Sequence, residues 1–215
     1  ASARAAGQTA AQAHALVNLA AVATEQARPA QAREHLLQAL QIYKAAGNLR
    51  AQASLLGNLG VIDHDLGWAD QSQAHFRDAI ERHEAIAETR GAAVARCQWG
   101  ACLIAQGDPA GAQAVIEAAV EALRPLDDRP TLAAALDWLA RALFHQQQHE
   151  RALALARESL ALRRAAASHN DEADSLELFA ELCQHSAPTR AARLLGAAAE
   201  LRHRLGIRQQ ARAAK

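Results

Sequence analysis

A forty-residue internal repeat constrains this chain more than any other feature of its sequence. Short segments of one pattern begin at residues 16 (LVNLA), 56 (LGNLG), 96 (RCQWG), 136 (LDWLA) and 176 (LELFA), with no insertion between copies. Each ends in a small residue: Ala20, Gly60, Gly100, Ala140 and Ala180. Twelve residues later stands another small residue (Ala32, Ser72, Ala112, Ala152, Ala192), and seven after that a third (Ala39, Ala79, Ala119, Ser159, Ala199). A unit of this size cannot bury an apolar face alone, so five in register must stack on one another.

The spacing inside each unit is helical. Leu16, Leu19, Ala20 and Ala23 fall at i, i+3, i+4 and i+7, and Ala32, Leu36, Ala39 and Leu40 form a second stripe. Between the stripes lie breaks around Pro29, Gly67, Gly107–Pro109 and Pro188; the fourth, at residues 146–149 (QQQH), has neither Gly nor Pro. Alanine, the strongest helix former, occupies 58 of the 215 positions, and aromatic residues make up only 3%. Small residues let paired helices approach, while Leu, Trp and Phe fill the space around each crossing.

These columns resemble the tetratricopeptide repeat, with its large residue, Leu, Gly or Ala, and two later alanines. The period here is 40 rather than 34, and the column of the third large residue holds Ala23, Asp63 or Cys183. HEAT-type repeats share the length but do not require this spacing of small residues. The resemblance implies an all-α, right-handed superhelical solenoid of five 40-residue hairpins. The boundaries expected are a leader over 1–8, a solenoid over 9–206 and a tail over 207–215. Within the solenoid the repeats fall at about 13–52, 53–92, 93–132, 133–172 and 173–206.

A second resemblance covers the last unit. The run from Asp171 to Leu182, followed by Pro188 to Gly206, is similar to the end of tetratricopeptide sensor regions in bacterial STAND-type signalling ATPases and LuxR- and MalT-like transcription regulators. It implies a sensor or autoinhibitory module and transfers neither ATPase nor DNA-binding activity. The absence of an initial methionine fits a piece of a longer protein.

Composition narrows the chemistry further. Twenty-three basic and 23 acidic residues cancel, which removes any global attraction to nucleic acid or anionic lipid. Three cysteines without a CxxC pair fit a reduced, cytoplasmic setting, and no uncharged apolar stretch reaches the length of a membrane span. A P-loop needs Gly-Lys-Ser/Thr, yet the two lysines are Lys44 and Lys215, outside any such turn. His145 and His149 straddle a turn, so their i, i+4 spacing does not make a metal site. No nucleophile elbow occurs, and the pairs Asp127/Asp128 and Glu177/Glu181 read as solvated charge. The reading is a non-enzyme with no cofactor, no metal and no catalytic residue.

Solenoids of this family bind partners on the face lined by the first helix of each unit. The register places there His14, Asn18, Asn58, Val61, His64 and Asp65, then Cys97, Gln98, Ala101 and Ile104. Further along it places Asp137, Arg141, Phe144, Asp174, Glu177 and Glu181. The surface reads as apolar in its middle and acidic towards one end. The carboxylate clamp of chaperone-binding members is not matched: Val17, Ala21, Val94 and Gln98 stand at clamp positions, and only Asn58 fits.

The expected partner is a protein or peptide segment with apolar and basic residues, or an amphipathic helix of the same parent protein. A small effector is a further candidate, whereas nucleic acid and membrane are not. A homodimer through the C-terminal helix is suggested by the stripe Leu201, Leu205 and Ile207. Two other readings stay open: a free-standing scaffold, and a small-molecule sensor with a pocket near Gly57, Ala101 and Ala105.

Overall fold

The computed structural model describes residues 2–166, 169–184 and 186–204. These residues form ten helices and no strand: α1 (Ser2–Glu25), α2 (Pro29–Ala45), α3 (Leu49–Asp65), α4 (Ala69–Ala85), α5 (Thr89–Ala105), α6 (Pro109–Leu123), α7 (Arg129–His145), α8 (His149–Ala165), α9 (His169–Cys183) and α10 (Pro188–Arg204). Odd-numbered helices carry the first stripe of each repeat and even-numbered helices the second. Residues 205–215, which hold Leu205, Ile207 and the expected tail at 207–215, lie outside the described residues, so the C-terminal stripe is seen only at its half-buried Leu201.

Two compact units result, residues 1–107 and 108–215. In the first, α1 pairs with α2 and α3 with α4; α2 packs on α3, α4 on α5, and the first helices α3 and α5 touch. In the second, α7 pairs with α8 and α9 with α10; α6 packs on α7, α8 on α9, and α7 meets α9. Each unit thus stacks two consecutive helical hairpins with one further helix, α5 in the first and α6 in the second, the arrangement expected of a tetratricopeptide-like solenoid.

The first small-residue column is buried in all five copies, from Ala20 to Ala180. Its purpose is plain at Gly60, where an added Cβ would stand 2.9 Å from the ring of Phe76 on α4. Ser72 of the second column, on the same helix, donates its hydroxyl to the Gly60 carbonyl at 2.7 Å. Ala140 is fully buried at the equivalent crossing. Ala140→Leu is therefore expected to overpack the α7–α8 contact and cost about 1–3 kcal/mol, measured by equilibrium unfolding. Unchanged stability would contradict the register.

Turns repeat as well as helices do. After α3, Gly67 takes φ +78°, its N–H bonds to the His64 carbonyl, and the Trp68 N–H returns to the Asp63 carbonyl at 2.8 Å. This is the Schellman ending of a helix, in which a left-handed residue lets the last carbonyls find donors. The QQQH break forms the same turn without glycine. There Gln147 adopts φ +63° and the Gln148 N–H bonds the Leu143 carbonyl at 2.9 Å. Ala27 does likewise after α1.

Two details of the register differ from the sequence reading. The turns between hairpins precede Leu49, Thr89, Arg129 and His169, so limits at 52/53, 92/93, 132/133 and 172/173 fall inside first helices. Pattern matching marks where a stripe begins, whereas the helix starts earlier, at caps such as Asn48, whose Oδ1 accepts the Ala51 N–H. The second difference is a slip of one residue in the last unit. Ala192 and Ala199 are exposed, and Ala191 and Ala198 take the buried places. α9 ends at Cys183, and Pro188 opens α10 one position earlier than the forty-residue period requires.

Candidate partner-binding surface

In the first unit the register sets Asn18, Asn58 and Gln98 forty residues apart on α1, α3 and α5. Asn18 and Asn58 are exposed and Gln98 is half-buried. Two clefts adjoin them. One, of about 310 Å³, is lined by Val17, Ala21, Thr24, Val61 and the two amides Asn58 and Gln98. The other, of about 320 Å³, lies between the N-terminal halves of α3 and α5 and shares both amides. The result is one surface of small apolar residues crossed by side-chain amides, which can both donate and accept hydrogen bonds.

The second cleft contains residues that the sequence did not single out: Arg50, Ser54, His83, Glu88 and Arg90. Arg50 pairs with Glu88. His83 is only 4% exposed, and burial is the main influence holding its imidazole below the ordinary histidine range. The one available sequence signal was Gly91, because a Cβ there would come within 2.3 Å of His83 Nδ1.

The other expected residues of this unit divide between surface and seam. His14 is exposed, with its ring 6.2 Å from Tyr43. His64 bonds Gln106 at 3.0 Å, Asp65 is exposed, and Ala101 and Ile104 are half-buried. Cys97 corrects the sequence reading. It is 8% exposed, and burial pushes its thiol up to about 12, so it offers no reactive group to a partner. Its column holds Val17, Gly57 and Cys97 in this unit, and at Gly57 it faces the next first helix: a Cβ there would stand 3.1 Å from Gln98 Oε1 of α5.

Asp137, forty residues on in the same column, is the second correction. It is 5% exposed and forms an ion pair with Arg163 of α8 at 2.7 Å. Arg163 also donates to Ser175 of α9 at 2.7 Å, so the pair ties together three helices of the second unit. Burial raises the Asp137 carboxyl above the ordinary aspartate range, despite the guanidinium opposite.

The acidic end is partly neutralised by arginines. Glu181 accepts from Arg141 at 3.0 Å, while Arg141 lies 4.9 Å over the Trp138 ring. Asp174 and Glu177 both pair with Arg202 of α10. A basic partner would have to displace these arginines. Phe144 faces a different recess, between α8 and α10. Among the described residues no cluster of three metal-ligating side chains occurs, and no helix is long and apolar enough to cross a membrane.

A tetratricopeptide repeat family model matches residues 11–85 and 91–165, well over half of the sequence. The chain belongs to the tetratricopeptide repeat family. Solved structures share the fold of this tetratricopeptide protein at low identity. A Podosopora anserina kinesin-light-chain-type protein with nearly identical TPR-like repeats superposes with a TM-score of 0.65 at 15% identity, over 89% of this chain and 95% of that one. BtubC (BKLC) from P. vanneervenii gives 0.62 at 12% identity, over 99% and 94%. A Rap protein complexed with Competence and Sporulation Factor gives 0.70 at 16% identity, over 92% of this chain and 60% of that one. No curated protein matches the sequence significantly. Tetratricopeptide repeats are in general non-catalytic modules for protein interaction, and no enzyme stands among these relatives.

Proposed function

We propose that this tetratricopeptide protein is the sensor and interaction module of a larger bacterial signalling or transcription regulator, holding an extended segment of a partner on its first helices. The observation that carries the reading is the pair of amides Asn58 and Gln98, which line both clefts and continue the forty-residue row begun at Asn18. Amides at a fixed interval suit the alternating donors and acceptors of a peptide backbone, while shallow apolar recesses suit alternate side chains. The Rap protein similar in fold was crystallised with Competence and Sporulation Factor, which agrees with a ligand-bound state for such a solenoid.

The arginine pairing of Asp137, Asp174, Glu177 and Glu181 shifts the preferred partner away from basic segments. An uncharged or amphipathic segment fits the amide row better, from another protein or from elsewhere in the same parent. Its binding would act on the parent through different affinities for two states.

The test begins with a displayed peptide library selected against the first unit's surface in the full chain. Asn58→Ala with Gln98→Ala should weaken the selected peptides about tenfold or more, because each lost hydrogen bond is worth about 0.5–1.5 kcal/mol. Thermal stability should stay unchanged. Unaltered affinity would place peptide binding elsewhere. For the parent context, a nucleotide-binding motif upstream in the reading frame or a helix-turn-helix downstream is the expected finding. A frame holding neither favours the free-standing scaffold.

A further inference from the structure

The space between the second helices of neighbouring hairpins, above the C-terminal half of the first helix between them, recurs along the chain. It is filled differently each time. Between α2 and α4 it holds a polar plug: Asp63 of α3, fully buried, bonds Arg33 at 2.6 Å and His75 at 2.8 Å, and Trp68 lies 4.8 Å from the Arg33 guanidinium. Between α6 and α8 a chain of glutamines takes its place. Gln146 donates to Gln113 at 2.8 Å and to the Pro109 carbonyl at 3.0 Å, and Gln148 joins Gln146.

Between α8 and α10 the plug is missing. The positions 120 residues after Arg33 and Asp63 are Leu153 and Cys183. With the one-residue slip of the last unit, the counterparts of Trp68 and His75 are Ala187 and Leu194. Four side chains that fill the first seam by charge and size are replaced by smaller or apolar ones. All four line a pocket of about 640 Å³, floored by Phe179 and Leu182 and closed at one end by Phe144. That is the volume of a small-molecule site, and its walls combine an apolar side (Leu153, Phe179, Leu182, Leu194) with a polar one.

The charged groups at its edge are of one sign. Arg157 of α8 and Arg190 of α10 line the opening, and among the described residues no carboxylate does. Neither guanidinium has an acidic partner among the described residues. The remaining polar lining is His145, His149, Gln147, Gln184 and Ser186, none of which carries negative charge. A cavity with one apolar wall and two arginines at its mouth is complementary to an apolar body ending in an anion.

We infer that this pocket binds a small amphipathic carboxylic acid, its acyl or aryl body against Leu153, Phe179 and Leu194 and its carboxylate between Arg157 and Arg190. The site shares no residue with the amide row, so it goes beyond the partner-binding reading, and its failure would leave that reading standing.

Cys183 provides a local reporter because it is half-buried and lines the pocket, whereas Cys97 and Cys102 are buried. The experiment follows alkylation of Cys183 by iodoacetamide, read by peptide mass mapping, with decanoate and decan-1-ol as probes. Decanoate should slow labelling of Cys183 and leave the two buried thiols unaffected. Arg157→Gln with Arg190→Gln, both at exposed positions, should raise the decanoate concentration for half-protection at least about tenfold, as expected for lost charge-assisted hydrogen bonds. Protection by decan-1-ol should not change. Ala187→Trp restores the plug and should abolish protection by both probes. Absence of protection by decanoate overturns the proposal, as does equal half-protection in wild type and the arginine variant. Persistent protection in a folded Ala187→Trp protein would do the same.

Discussion

Asp63→Ala is expected to lower the stability of the first unit by about 3–5 kcal/mol, the usual consequence of removing one partner of a buried ion pair. Asp63 has no solvent exposure and satisfies Arg33 and His75 together, from helices on either side of its own. Its loss leaves a guanidinium and an imidazole facing a cavity with no acceptor. Chemical denaturation of the full chain, followed by Trp68 and Trp99 fluorescence, measures the effect. Asp63→Leu paired with Arg33→Leu should recover much of it, because an apolar pair of similar volume needs no desolvated charge. A loss under about 1 kcal/mol in the alanine variant would show that the cluster is solvated in solution.

Arg163→Ala should cost a similar amount, about 3–5 kcal/mol at neutral pH, and its pH dependence identifies the cause. Asp137 is buried, and its carboxyl already lies above the ordinary aspartate value of about 3.9. Between the unfolded and folded values the native state binds the proton more tightly, so stability falls as pH rises through that window. Without Arg163 the folded value rises further and the window widens upward. The penalty should therefore shrink as pH is lowered towards about 4, where a neutral Asp137 is tolerated. A penalty independent of pH would mean that lost packing and the Ser175 hydrogen bond, not the bare carboxylate, dominate.

Both sites show where sequence reading stops. The hairpins were legible because the small-residue columns repeat without interruption, and burial of Ala20, Gly60, Gly100, Ala140 and Ala180 follows directly from that periodicity. Asp63 stood out only as a departure from a large-residue column. Its partners Arg33 and His75 lie 30 and 12 residues away on other helices, a pairing that no single-helix pattern encodes. Asp137 and Cys97 were placed on the open face because a helix has one face in a sequence pattern. In the stack the adjoining first helix covers part of that face and turns their column into a seam. The amide row was within reach, since Asn18, Asn58 and Gln98 keep the forty-residue spacing. The pocket between α8 and α10 was not, because it depends on what is missing relative to the earlier seam and on a slip of one residue.

That slip also governs how the chain can be rebuilt. A segment cut before Leu49 and before Thr89 begins and ends at equivalent points, so a duplicate of it would re-enter the stack in phase. A segment carrying the turn after Cys183 would deliver every later helix one residue early. The buried face of α10 is kept, because Ala191 and Ala198 stand at the same offsets from Pro188 as Ala32 and Ala39 do from Pro29. The second hairpin is thus a transferable building block, whereas the last one must be moved together with its own shortened turn.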